Sequence, residues 1–320
     1  MLKSRILVIH YGALGDVVAA FPALLELKTA FGPITIVCQN SIGSLARHLD
    51  IVYKWHPLEA AAFASLHSNH VHPSVKEILV SFSTVILFSN SVSFEKTLLS
   101  MTKSKIYRVC PRPGSDEKIQ IGRYILSNLA RYKLIEDPDK DGFRRLSSSI
   151  HADRRDADYH PSKIFIHPGS GSRKKCWPIS NLIKIASSLA SKGLRPEFIL
   201  GPAEYDFFDI LSRQNPLQAK VQKPDTLTQL ALLLKTGGGF IGNDSGVSHL
   251  SAFLGLPTVA VFGPSDPDVW KPEGRAVEIL RSDVACSPCF DTGTVGCEEM
   301  DCFNGIIPED VLAALYKLIR

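Results

Sequence analysis

Ile6-Leu-Val-Ile-His10 runs straight into Tyr11-Gly12-Ala13-Leu14-Gly15-Asp16, and residues 17–31 continue with apolar side chains at helical spacing. The unbroken apolar run suits a strand buried on both faces. Two glycines allow a tight turn, and Asp16 falls at the start of the helix. Ile34-Thr-Ile-Val37 supplies a second strand. Strand, glycine turn, helix and strand make a βαβ unit, which implies parallel pairing with a right-handed crossover.

The pattern recurs in the second half. Ile164-Phe-Ile-His167 enters the turn Pro168-Gly-Ser-Gly171. Pro178 then sits where a helix would begin, with Leu182, Ile185, Ala186 and Leu189 at helical spacing. Further strands are expected at Val85–Phe88, Phe198–Leu200, Gly239–Gly242 and Pro257–Phe262, with helices at 227–234, 247–254 and 307–319. Alternation in both halves predicts an α/β fold of two doubly wound Rossmann-like domains facing a central cleft, with ligand at the carboxyl ends of the strands. A polar stretch at 137–162 reads as the linker, giving domains 1–155 and 156–305 and a final segment 306–320.

The composition supports this. A chain of 320 residues, 45% hydrophobic, is too long for one core and suits two. Charged residues at 21% exclude bulk disorder. No apolar run reaches the roughly 18 residues of a spanning helix. The first residues read as a strand, not a cleaved leader, so a cytoplasmic protein is expected. Seven cysteines, odd in number and sparse, exclude a disulfide-built secreted fold. Net charge is +7 over residues 1–155 and −3 over 156–320, so an anionic partner is expected for the first half.

Three turns could carry chemistry. Asp16 is either a helix cap or a general base at the end of the first strand. The first turn lacks the full G-x-G-x-x-G pattern, and Val37-Cys-Gln-Asn40 lacks a ribose-binding acid, so a dinucleotide site is poorly supported. Ser170-Gly-Ser-Arg-Lys-Lys175-Cys-Trp-Pro178 places three cations before a helix, which suits phosphate or merely a solvated loop. Gly242-Asn-Asp244-Ser245-Gly246-Val247-Ser-His249 leads a strand into a helix whose first amides could face an anion.

Taken together, Gly12-x-x-Gly15-Asp16-Val17, Lys175-x-Trp177-Pro178 and Gly242-Asn-Asp-Ser-Gly-Val-Ser-His249 resemble glycosyltransferase family 9, the lipopolysaccharide heptosyltransferases. The resemblance implies a GT-B fold, an inverting mechanism and ADP-heptose as donor. It implies Asp16 as base and Lys175 as the cation on the donor phosphate. Gly15, Ser170, Asp244, Ser245, Gly246, Val247 and His249 would complete the donor site, and Glu204, after Gly201-Pro202, would meet the ribose. It also implies that the last helix packs back on the first domain. No cofactor or metal is expected, since cations can stabilise the leaving diphosphate.

Lys96, Lys103, Lys105, Arg108 and Arg112 fall within 17 residues. The expected role for Lys103, Lys105, Arg108 and Arg112 is to steer an anionic glycolipid toward Asp16, with peripheral contact at the cytoplasmic face of the inner membrane. A nucleic-acid partner is disfavoured, because only Tyr107 supplies an aromatic there. Cys286-x2-Cys289-x7-Cys297-x4-Cys302 admits a structural zinc site or reduced thiols. Two other classes remain open at this point, a nicotinamide-dependent oxidoreductase and a non-catalytic carbohydrate-binding protein, and within the enzyme class so does a GT-B transferase using another nucleotide sugar.

Overall fold

A computed structural model describes residues 6–67, 71–114, 117–136, 158–214, 219–290, 297 and 300–320. The chain forms two units, Met1–Phe143 and Arg144–Arg320. Their boundary, like the expected one at 155, lies outside the described residues.

The first unit contains β1 (Ile6–His10), α1 (Leu14–Phe31), β2 (Ile34–Cys38), α2 (Asn40–His48), β3 (Lys54–Pro57), α3 (Ala61–Ala64), α4 (Pro73–Val80), β4 (Thr84–Phe88), α5 (Val92–Leu99), β5 (Lys105–Val109) and α6 (Ile121–Arg131). The second contains β6 (His160–His167), α7 (Ile179–Ser191), β7 (Arg195–Ile199), α8 (Tyr205–Gln214), β8 (Lys220–Gln222), α9 (Leu227–Lys235), β9 (Gly237–Asn243), α10 (Gly246–Phe253), β10 (Thr258–Phe262), α11 (Pro267–Trp270), β11 (Val277–Arg281), α12 (Asp301–Asn304) and α13 (Pro308–Ile319). The polar linker expected to reach 162 ends earlier, because β6 begins at His160.

Both sheets are parallel and share one plan. The first has the order β3-β2-β1-β4-β5, and the second β8-β7-β6-β9-β10-β11. Ile6 lies opposite both Ile34 and Thr84, so β1 is central and buried along its length. That is why its sequence shows no polar alternation. The edge strands β3, β5 and β8 are only partly buried. Their sequences are correspondingly mixed. Side-chain caps start the helices: Ser91, Thr226 and Ser245 each accept an amide from the first turn of α5, α9 and α10.

Each unit has its own core. Leu7, Ile9, Val37, Val85 and Leu87 of the first sheet pack with Val75, Leu79, Phe94 and Leu98. Helix α1 packs along α6. In the second unit, Ile164, Ile166, Ile241, Val259 and Val261 pack with Leu182, Ile185 and Leu189 of α7. The same core takes Val311, Leu312 and Leu315 of α13. The apolar stripe of α13 is filled by α7, β9, β10 and β11 of its own unit.

Candidate functional site

In each sheet the chain order reverses beside a central strand, between β1 and β4 and between β6 and β9. At such switch points the turns after neighbouring strands diverge and leave a crevice at the carboxyl ends. The three turns singled out in the sequence follow β1, β6 and β9.

In the first unit, the Gly12 amide donates to His10 Nδ1 at 3.0 Å. In a neutral ring the proton then sits on Nε2. The Ala13 amide donates to Asp16 Oδ2 at 2.9 Å. Asp16 therefore caps α1, and its carboxylate is half-buried at the end of β1. Gly15 lies beside it in the first helical turn. A Cβ at position 12 would fall 2.6 Å from both Asp16 Cβ and His10 Cε1, so the turn needs glycine. His10 is buried against the Phe88 ring, with centroids 4.6 Å apart. Burial pushes its pKa down to about 4, against the pull of Asp16.

The basic residues of the first unit are spread along the sheet. Lys105 opens β5 opposite Thr84, level with the first residue of β1. At 3.3 Å per residue that is about 13 Å along the sheet from His10. Lys103 and Lys105 line a separate groove with Val80, Leu99 and Met101 at that amino end. Arg108 Nε donates to Glu95 Oε2 at 2.9 Å, and the guanidinium also donates to the Ser89 carbonyl. Arg112 is exposed just past the carboxyl end of β5. Of the four expected acceptor residues, Lys103 and Lys105 thus lie at the amino end of the sheet, Arg108 pairs with Glu95, and Arg112 lies past the carboxyl end.

In the second unit several of the residues expected at a donor site lie together. Lys175 Nζ donates to Asp244 Oδ2 at 2.8 Å, with side chains 18% and 8% exposed. Ser170 Oγ donates to the Asp244 carbonyl. Ser245 caps α10 by accepting the Ser248 amide at 3.2 Å, which places Gly246 and Val247 in its first turn. His249 is buried one turn along. Glu204 is buried and accepts the Gly201 amide through Oε2 at 2.8 Å. Its Oε1 lies over Gly169, where a Cβ would approach to 2.2 Å. His167, also buried, hydrogen-bonds the Ile199 carbonyl through Nδ1 at 3.0 Å. Burial lowers its pKa, and Glu204 opposes that shift.

Asn243 was passed over in the sequence, yet it joins the two loops. Its Oδ1 accepts the Trp177 amide at 2.9 Å, and its Nδ2 donates to the Pro168 carbonyl at 2.8 Å. Its place before Asp-Ser-Gly was the available signal. The consecutive cations have different partners. Arg173 pairs with Asp206 at 2.6 Å and lies over Phe207, while Lys175 lies between Asp244 and Phe290. A carboxylate fixed beside an ammonium and a helix amino end can take a sugar hydroxyl and a phosphate together.

Cys286, Cys289, Cys297 and Cys302 form no disulfide among the described residues. Among the described residues no group of three or more His, Cys, Asp or Glu is arranged to hold a metal ion. No described helix is long and apolar enough to cross a membrane.

Residues 108–297 match the model of glycosyltransferase family 9 (heptosyltransferase). The chain is 25% identical over 316 residues to lipooligosaccharide heptosyltransferase 2 of Campylobacter jejuni, covering 95% of this chain and 96% of that one. A family 9 glycosyl transferase structure from Veillonella parvula superposes with TM-score 0.75 at 18% identity, covering 100% and 98%. The Escherichia coli ADP-heptose lipopolysaccharide heptosyltransferase II does so with TM-score 0.71 at 18% identity, covering 98% of each chain. These likenesses establish the GT-B fold.

Proposed function

The chain belongs to glycosyltransferase family 9, and within that family we propose that it transfers a heptose from ADP-heptose to the inner core of lipopolysaccharide, with inversion at the anomeric carbon. The observation that carries the donor half is the Lys175–Asp244 pair at the switch point of the second sheet, beside the amino end of α10. ADP-heptose is named for the E. coli structural relative, and heptosyl transfer for the Campylobacter one.

The acceptor hydroxyl attacks the anomeric carbon as its bond to the diphosphate oxygen breaks. The hydroxyl proton passes to Asp16, and the bonding pair leaves with ADP. Asp16 Oδ2 is held by the Ala13 amide, which orients the carboxylate without protonating it. His10, kept neutral by burial behind the turn, adds no positive charge beside the Asp16 carboxylate. Lys175 and the first amides of α10 meet charge growing on the diphosphate, where preorganised donors contribute most. Because Lys175 already neutralises Asp244, the carboxylate can accept sugar hydroxyls without repelling phosphate. Glu204 and its glycine-lined shelf suit a ribose diol. No metal enters this scheme. The proposal assigns no acceptor role to Lys103 or Lys105.

The test is Asp16→Asn, which preserves shape and much of the cap. Turnover should fall about 10²- to 10⁴-fold with ADP affinity unchanged. Near-normal turnover would remove Asp16 from the chemistry.

A further inference from the structure

The Lys175 ammonium has a second neighbour. Its Nζ lies 4.2 Å from the centroid of the Phe290 ring. An ammonium over an aromatic face is attracted by the ring quadrupole and loses water on that side. With Asp244 Oδ2 taking one N–H at 2.8 Å, the direction of the remaining donors is restricted. The ring is itself fixed by backbone. The Pro264 carbonyl, just past β10, accepts both the Cys289 and the Phe290 amides at 2.9 Å. Ser287 Oγ donates to the Gly263 carbonyl at 2.7 Å. Residues 287–290 are thus pinned to the turn that follows β10, at the same carboxyl end of the sheet as Lys175 and Asp244.

We propose that Phe290 is a positioning residue for donor binding: its ring holds the Lys175 ammonium against Asp244, so that the diphosphate meets a cation already aimed and partly stripped of water. The inference rests on the reading that Lys175 contacts the donor diphosphate. It assigns a role to a segment that the cysteine spacing marked out but that the mechanism leaves unused.

Two measurements test it. The Lys175 ε-methylene protons should resonate upfield through the ring current. The signal is identified by its loss in Lys175→Met, and the shift should vanish in Phe290→Leu and persist in Phe290→Tyr. Calorimetry with ADP should show affinity about 2- to 30-fold weaker in Phe290→Leu and near wild type in Phe290→Tyr. In a Lys175→Met background, Phe290→Leu should cause no further loss, because the ring acts through the ammonium. An unshifted Lys175 signal in the wild type overturns the proposal. So does an equal loss of affinity with and without Lys175, which would mark Phe290 as packing alone. If Lys175→Met by itself leaves ADP affinity unchanged, the diphosphate reading fails, and the ring-current shift still decides whether Phe290 holds the ammonium.

Discussion

Replacing Lys175 by Met removes one partner of a nearly buried ion pair and keeps most of the side-chain volume. The charges lie 2.8 Å apart, and the carboxylate is 8% exposed. Their gross attraction is about 6 kcal/mol at an effective dielectric of about 20. Desolvation of both groups opposes much of it. Deleting one partner nevertheless strands the other, which typically costs about 3–5 kcal/mol. Lys175 is 18% exposed, so some water can reach the orphaned Asp244. We therefore expect a loss near the lower end, about 3 kcal/mol, or about 6–12 °C in the melting of a unit this size. Adding Asp244→Asn should recover at least half of that stability, since the stranded charge disappears. ADP affinity should stay lost in the double variant, because the cation is still missing. Scanning calorimetry and isothermal titration on the two variants separate these effects. A cost under about 1 kcal/mol for Lys175→Met, or a double variant less stable than the single one, would refute this account of the pair.

Two further outcomes are expected. Between pH 6.5 and about 4 the unfolded chain binds a proton that the buried, native His10 refuses, so stability should fall as pH drops through this window, by up to about 3 kcal/mol from His10. His10→Asn should flatten that slope in denaturant titrations, and an unchanged slope would mean that His10 titrates normally. Gly169→Ala puts a methyl 2.2 Å from Glu204 Oε1, so the carboxylate must leave the Gly201 amide. ADP should bind at least about tenfold more weakly with stability reduced by about 1–3 kcal/mol, and unaltered affinity on titration would take Glu204 out of the nucleotide site.

The sequence made the centre of each sheet legible, and less of its rim. β1 and β10 are buried along their length, so burial wrote continuous apolar runs there. The edge strands Lys54–Pro57 and Lys220–Gln222 are short and half-exposed, and no period could emerge. Lys103, Lys105, Arg108 and Arg112 are close in the chain, which suggested a patch. A strand separates neighbours by 3.3 Å per residue, and β5, with Lys103 before it and Arg112 after it, spreads these charges from one end of the sheet to the other. The second-unit motif could be read because Ser170, Lys175 and Asp244 lie in two compact turns. The roles of Asn243 and Phe290 depend on loops distant in sequence, and only the folded chain brings those together.

The strand order also has a kinetic consequence. In each unit the central pairing joins segments far apart: Ile6 meets Thr84, and Ile164 meets Gly239. Long loops must close before either pairing returns any free energy, so refolding should be slow for the chain's size. The Lys175–Asp244 pair bridges the turns that leave β6 and β9, the strands on either side of one such seam. On the proposed donor reading, nucleotide affinity arises only when that seam closes, after the local helices have formed. Appearance of ADP binding during refolding is then a clock for completion of the second sheet, and its loss under denaturant should precede loss of helical signal.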